Sequence, residues 1–235
     1  MEPPAPLHLP SGGIVPIMIR RSTRARRSAV RIRAGDLAIE LVVPERARLS
    51  AALEFLDSRR EWLVARLSML PEPVAFKAGA VIPVLGQDRV LQTTLRPLNG
   101  NGPFRLTETT IEVAGRDEHI ARRTRDGLMA LAGAILRPAA LEFAERSDRR
   151  PSAIMIGNPR TRWGSCSSKG VLRFSWRLVL APEPVLRYVA AHEVAHLRHM
   201  NHGPAFWALV AELYPAFERE RAWLKRHGGT LMRFG

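Results

Sequence analysis

Cysteine is almost missing from this chain of 235 residues: Cys166 stands alone. A lone cysteine excludes an intrachain disulfide framework and fits a reducing compartment. Acidic residues are also scarce, with 22 Asp and Glu against 36 Lys and Arg, a net charge of +14. Nearly all of the cations are arginine. Such a balance favours anionic partners over cationic ones, or solvated arginine-rich faces with no partner. Long hydrophobic runs are lacking too. The longest, residues 128–136, is too short to span a bilayer. Near the N-terminus, Glu2, several prolines and an apolar run broken at Pro16 do not make a secretory signal. The expectation is a cytoplasmic protein with no membrane partner. No internal repeat is visible, and the 46% hydrophobic content supports a real core in one large domain or two small ones.

Read in order, residues 1–12 make a flexible, Pro-rich lead. Residues 13–115 make a β-rich N-terminal subdomain with one helix, and residues 116–235 a second, catalytic subdomain. Ile17-Met18-Ile19 and the alternating Ala29-Val30-Arg31-Ile32-Arg33 predict strands. Gly35-Asp36 predicts a turn, with a return strand over 37–43. Seven arginines between Arg20 and Arg33 make a basic hairpin, suited to phosphate or to protecting a sheet edge. A helical stripe of Leu49, Leu53, Leu56, Trp62, Leu63 and Leu67 predicts one helix over 49–70, stopped by Pro71. Residues 81–95 read as strands around a Gly86-Gln87-Asp88 turn. Residues 99–103 form a loop, and 106–113 a strand. A long helix is expected from Asp117 to about Arg149, broken near Pro138, with Leu128, Leu131, Ile135 and Leu141 in the core. Residues 153–156 and 171–180 predict strands, the second with Phe174, Trp176, Leu178 and Leu180 on one parity. Pro182 and Glu183 suit a helix start. Helices should follow over Pro204–Leu213, burying Phe206, Leu209, Val210 and Leu213, and over 217–226, ended by Gly228-Gly229.

The chemistry concentrates in His192-Glu193-Val194-Ala195-His196. Residues four apart share a helix face, so His192 and His196 can aim two imidazoles at one metal ion. Glu193, beside them, can reach a water held there. This helix should run to about Met200. His199 shares the face but lies about 10.5 Å from His192 along a continuous helix, too far for one ion. His202 is favoured as third ligand once the helix ends; Asn201 tolerates a left-handed turn and Pro204 restarts a helix. Glu212 on that next helix is the rival. Cys166 reads as a structural thiol, with a role as inhibitory ligand the alternative. Trp163, Trp176 and Trp207 read as core around the site. Tyr188, Tyr214 and Arg162 are oxyanion donors by residue type alone. The strand before the metal helix could guide an extended peptide by backbone hydrogen bonds.

The segment from Arg162 to Ser167, the Trp176-Arg177-Leu178 strand end, and the run from His192 through Trp207 resemble the YgjP-like metallopeptidases, a zincin-type family. That family is distantly similar to SprT-like and Wss-type proteases, some of which act on proteins crosslinked to DNA. The resemblance covers most of the chain and is most specific in its C-terminal half. It implies an α+β fold: a minimal zincin-like core of strand hairpin, metal helix and following helices behind the β-rich part. It also implies His192, His196 and His202 as ligands of one Zn2+ per chain and Glu193 as the base. A metzincin would place Gly where this chain has His199, so that assignment is not made.

The expected function is a zinc metallopeptidase acting on peptides or proteins by metal-activated water. The alternative is a zinc-stabilised nucleic-acid-binding module, with the arginine-rich N-terminal strands on nucleic acid and little or no proteolysis. The intact Glu193 argues against a purely structural site, which has no use for a base.

Overall fold

A computed structural model describes residues 5–10, 12–33, 38–68, 73–98, 102–159 and 161–235. The expected turn at Gly35-Asp36, the stop at Pro71 and most of the 99–103 loop fall outside them. The chain divides into two compact units, Met1–Pro73 and Val74–Gly235. The 81–114 strands, which the sequence reading joined to the N-terminal part up to residue 115, therefore fold with the C-terminal helices. Their inward residues Ile82, Val84, Leu91, Ile111 and Val113 belong to the same core as Leu128, Phe174 and Val194.

In the first unit, β1 (Leu7–His8) pairs with β2 (Ile14–Val15), and Leu7 is buried. The expected flexible lead thus contains an anchored strand. β3 (Ile17–Ser22) lies parallel to β5 (Ala38–Pro44), which β4 (Ala29–Arg33) flanks on its other side, antiparallel. The central β5 is nearly continuous apolar sequence because both of its faces are covered. Two of the seven hairpin arginines bond within the unit. Arg20 pairs with Glu40 at 2.9 Å, and Arg21 donates to the carbonyls of Pro44, Glu45 and Ala47. The single helix expected over 49–70 is two, α1 (Leu49–Asp57) and α2 (Arg60–Ser68). The Ser58 hydroxyl donates back to the Phe55 carbonyl at the break, a local bond that competes with helix continuation. Leu56, Leu63 and Leu67 are buried as expected, but Trp62 is 54% exposed.

In the second unit, β6 (Val81–Val84) and β7 (Gln87–Thr94) form a hairpin. Its two-residue turn is Leu85-Gly86, both at positive φ, one residue earlier than the sequence suggested. β9 (Thr110–Ala114) runs parallel to β7, with β8 (Phe104–Leu106) antiparallel at the edge. The strand expected over 106–113 is thus a hairpin.

α3 (Asp117–Arg146) runs unbroken through Pro138. An internal proline costs about 3 kcal/mol, and the flanking buried Leu136, Ala139 and Ala140 offset it by packing. Its buried face repeats through Thr124, Leu128, Ala132, Leu136, Ala140 and Phe143, which leaves Leu141 on the far side, 55% exposed. α3 is the one described helix with the length and hydropathy of a membrane span, but its inner face joins the core around α4 (Glu183–Ala195).

β10 (Ala153–Gly157), β12 (Val171–Ser175) and β11 (Gly164–Cys166) form a three-stranded sheet with β12 in the centre. The strand expected to reach Leu180 stops at Ser175. Trp176–Leu180 is a 3-10 turn, capped by the Ser175 hydroxyl accepting from the Arg177 N–H. All five of its residues are buried, which an alternating half-exposed strand does not allow. α5 (Pro204–Leu213) buries the four residues expected of it. α6 (Phe217–Leu231) continues through Gly228-Gly229. Gly228 is there for close packing: a Cβ on it would lie 3.1 Å from the Trp163 ring.

Candidate metal centre and active site

α4 delivers His192 and Glu193 and then stops at Ala195, with His196 as its C-cap. This is earlier than the expected end near Met200. The Leu197, Arg198 and His199 amides turn back onto the Val194 and Ala195 carbonyls. The chain can therefore return within a few residues, and Asn201 needs no left-handed conformation. Among the described residues, the non-glycines at positive φ are Leu85 and Asp148. Pro204 then opens α5, one turn of which brings Phe206 beneath the site.

The return places His202 against the helix pair. Ligand nitrogens of His192, His196 and His202 all lie within 4.8 Å of one another. The Nε2 atoms of His192 and His202 are 3.2 Å apart. Two lone pairs so placed repel unless a proton or cation lies between them, and nitrogens sharing a first-row metal ion sit about 3.4 Å apart. The His196 Nδ1–H donates to the His199 carbonyl at 3.0 Å, which leaves its Nε2 free for a metal. His199 thus contributes its backbone rather than its ring. Burial pushes His192 down to about 3, helped by His196, His202 and Arg221, and burial lowers His196 as well. Both rings stay neutral, the form that binds metal. Glu212, the rival ligand, is exposed and outside this cluster. The donor set fits one metal ion held by three imidazoles.

The Phe206 ring underlies all three histidines, its centroid 4.9, 4.5 and 4.7 Å from those of His192, His196 and His202. Trp207 lies 5.8 Å from the His192 and His202 rings and stacks on Phe217. The Arg221 guanidinium sits 4.3 Å over Trp207.

Glu193 is 5% exposed, and its Oε2 has no hydrogen-bond partner among the described residues; nor has His192 Nδ1. Burial pushes the Glu193 carboxyl up to about 8, against the pull of Arg162. Its place exists because Gly164 has no side chain: a Cβ there would meet Glu193 Oε1 at 2.4 Å. Cys166, two residues on, is half-buried and donates to the Ser167 carbonyl. Burial, with the charge of Glu193, raises its thiol. Cys166 is not among the clustered ligand atoms.

Of the other sequence candidates, Tyr188 packs edge-on against His192 at 5.9 Å, whereas Tyr214 packs on Phe143. Trp176 is fully buried; Trp163 and Trp207 are partly so. The sequence reading missed Arg221 and the role of Gly164. Arg221 is one arginine in a charged helix with nothing to mark it. Gly164 sits in the quoted motif but touches Glu193 only in the fold.

β12, the strand before the metal helix, is paired on both sides and has no free edge to offer. Of the two edge strands, β10 packs on α3 and β11 on the metal helix α4. At the ends of β11, the Trp163 carbonyl and Ser167 amide bond inward to β12, and Ser165 pairs with Arg173. In an antiparallel ladder the intervening residues point their backbone groups the other way. Gly164 and Cys166 therefore direct N–H and C=O to the open edge, beside Glu193.

A family model described as YgjP-like, metallopeptidase domain, matches residues 26–227. A UTP pyrophosphatase of Escherichia coli is 33% identical over 69 residues, 28% of this chain and 41% of that protein. The match thus spans less than half of that curated relative. In the crystal structure of the metallopeptidase zymogen abylysin of Pyrococcus abyssi, the similarity covers 42% of this chain and 97% of that one. The identity there is 19% and the TM-score 0.36.

Proposed function

The chain belongs to the YgjP-like metallopeptidase family, which supports a metal-dependent peptidase in general terms, and from that premise we propose a zinc hydrolase that cuts peptide bonds with Glu193 as general base. The observation that carries the reading is the buried Glu193 carboxyl, unpartnered at Oε2, beside three clustered imidazoles. His192, His196 and His202 would hold one zinc ion per chain, which supplies Lewis acidity and lowers the pKa of water to about 7. Glu193 takes the proton of the attacking water and returns it to the leaving amine nitrogen. A nearby cation draws its carboxyl down from about 8 toward the neutral range that suits a group doing both. The outward backbone groups of Gly164 and Cys166 can add an extended peptide as one more strand, with its scissile bond next to Glu193. Arg162 and Arg221 bring positive charge to the site, felt by Glu193 and His192 respectively.

The test is Glu193→Gln with metal content and turnover measured together. The variant keeps its metal and loses about 10²- to 10⁴-fold in rate; near-normal turnover contradicts the assignment. A second reading, phosphoanhydride hydrolysis of a nucleoside triphosphate at the same site, draws on the similarity to UTP pyrophosphatase and on the same two arginines. Release of pyrophosphate from UTP by the zinc-loaded protein, with no peptide cleavage, would decide for it.

A further inference from the structure

A cavity of about 430 Å³ opens on the outer side of the β10–β12–β11 sheet, with Arg162, Ser165, Arg173 and Asn158 in its lining. The sheet register explains which side chains meet there. Ser165, Arg173 and Met155 are cross-strand neighbours and share one face, since side chains alternate along each strand. Gly164 and Phe174 pair one residue along, so they face the other way, toward Glu193 and the core. The cavity thus lies across β11 from the catalytic carboxyl, within the span of one edge strand.

Its charge is unspent. Neither the Arg162 nor the Arg173 guanidinium makes a hydrogen bond or ion pair with another described residue, apart from the long-range pull of Arg162 on Glu193. A larger groove of about 730 Å³ on α3 also holds arginines, but these are occupied: Arg122 pairs with Asp126 and Arg123 donates to the Ala114 carbonyl. The outer wall of the smaller cavity is fixed in place. The Asn158 side-chain oxygen accepts from Trp176 Nε1 and from the buried Arg177, which is itself bonded to the Phe234 and Gly235 carbonyls.

We infer that this cavity is a specificity subsite, in which Arg162 and Arg173 receive the carboxylate of a Glu or Asp side chain of the peptide being cut. The inference rests on the peptidase reading. A peptide added at the free edge of β11 turns alternate side chains to the Ser165–Arg173 face. One of them, close to the scissile bond, meets two unpaired guanidiniums with no competing carboxylate in the lining. Charge-assisted bonds of this kind discriminate Glu from Gln or Lys by about tenfold.

The test is cleavage of a mixed peptide library by the zinc-loaded full chain, with the cut sites read by mass spectrometry. The wild type should enrich Glu and Asp about tenfold at one position within two residues of the cut. Arg173→Glu should shift that same position to Lys and Arg, and Arg173→Met should abolish the preference, each read relative to the variant's own rate on uncharged peptides. Cutting with no charge preference, or a preference kept in both variants, overturns the inference and leaves the peptidase reading standing. If no peptide is cut, binding to the zinc-loaded Glu193→Gln protein decides. Tighter binding of Glu-containing than Lys-containing peptides, lost on Arg173→Glu, upholds the subsite while the peptidase reading fails. Equal binding, or binding of inorganic pyrophosphate in place of any peptide, overturns the subsite.

Discussion

At the scale of single residues, the site depends on what Gly164 lacks. Its missing side chain leaves the space into which Glu193 folds, and a Cβ would stand 2.4 Å from that carboxylate. Gly164→Ala should therefore displace the Glu193 carboxylate while leaving the histidines, which sit on other segments. We expect a loss of about 1–3 kcal/mol in stability from overpacking. Turnover should fall by one to two orders of magnitude with metal content retained, read by thermal melting, kcat and elemental analysis. Loss of metal with unchanged turnover per bound metal would contradict it. His192, Glu193 and His196 were legible because their relation is local: helix geometry alone places them on neighbouring positions. The nearness of Gly164 and Arg221 was not, because each meets the site from a segment distant in sequence. The His199 ring lies outside the cluster of ligand atoms, and its bond to His196 through the backbone carbonyl has no signature in residue type.

At the scale of elements, the short α4 and the start of α5 at Pro204 bring the three imidazoles together. Stopping at Ala195 lets His202 return, and Phe206 in the first turn of α5 holds the three rings apart and oriented. Phe206→Ala should cost about 3–5 kcal/mol of stability and weaken zinc affinity about tenfold or more, as loss of a supporting shell does. Thermal melting of the metal-free protein and competition with a zinc chelator would check the two effects, and an unchanged affinity would contradict this role. Periodicity gave α5 and its four buried residues directly, since one face is apolar. It misjudged the segment 176–180 because a run buried on all sides carries no period to read. It also ended α6 at two glycines, the first of which, Gly228, serves close packing against Trp163. The edge strand was read as β12, though pairing order is not encoded in any one strand.

At the scale of the whole molecule, the site residues all belong to the unit Val74–Gly235. The boundary expected at 115 parted the four-stranded sheet from the helical core, with which it folds through long-range contacts. The buried site also sets a pH dependence for the metal-free protein. Glu193 is held at about 8 in the fold against 4.5 ordinarily. The folded chain thus binds more protons than the unfolded chain between those values, and stability falls as pH rises through them. His192, at about 3 against 6.5, acts oppositely, so its contribution rises from about pH 3 to 6.5. Between pH 6.5 and 8 the Glu193 effect acts without that opposition. Metal-free wild type should lose on the order of 2 kcal/mol there relative to Glu193→Gln, measured by denaturant melts at the two pH values. Parallel curves for the two proteins would contradict the burial of a charge at this carboxyl.

The central claim is that His192, His196 and His202 together hold one catalytic metal ion. Its most direct test is the zinc-to-protein ratio, by elemental analysis after removal of loosely bound metal, in the untagged wild type and in His202→Ala. The account predicts one zinc per chain in the wild type and a ratio near zero in the variant. A wild type that takes up no zinc, or a variant that holds it as well as the wild type does, would contradict it.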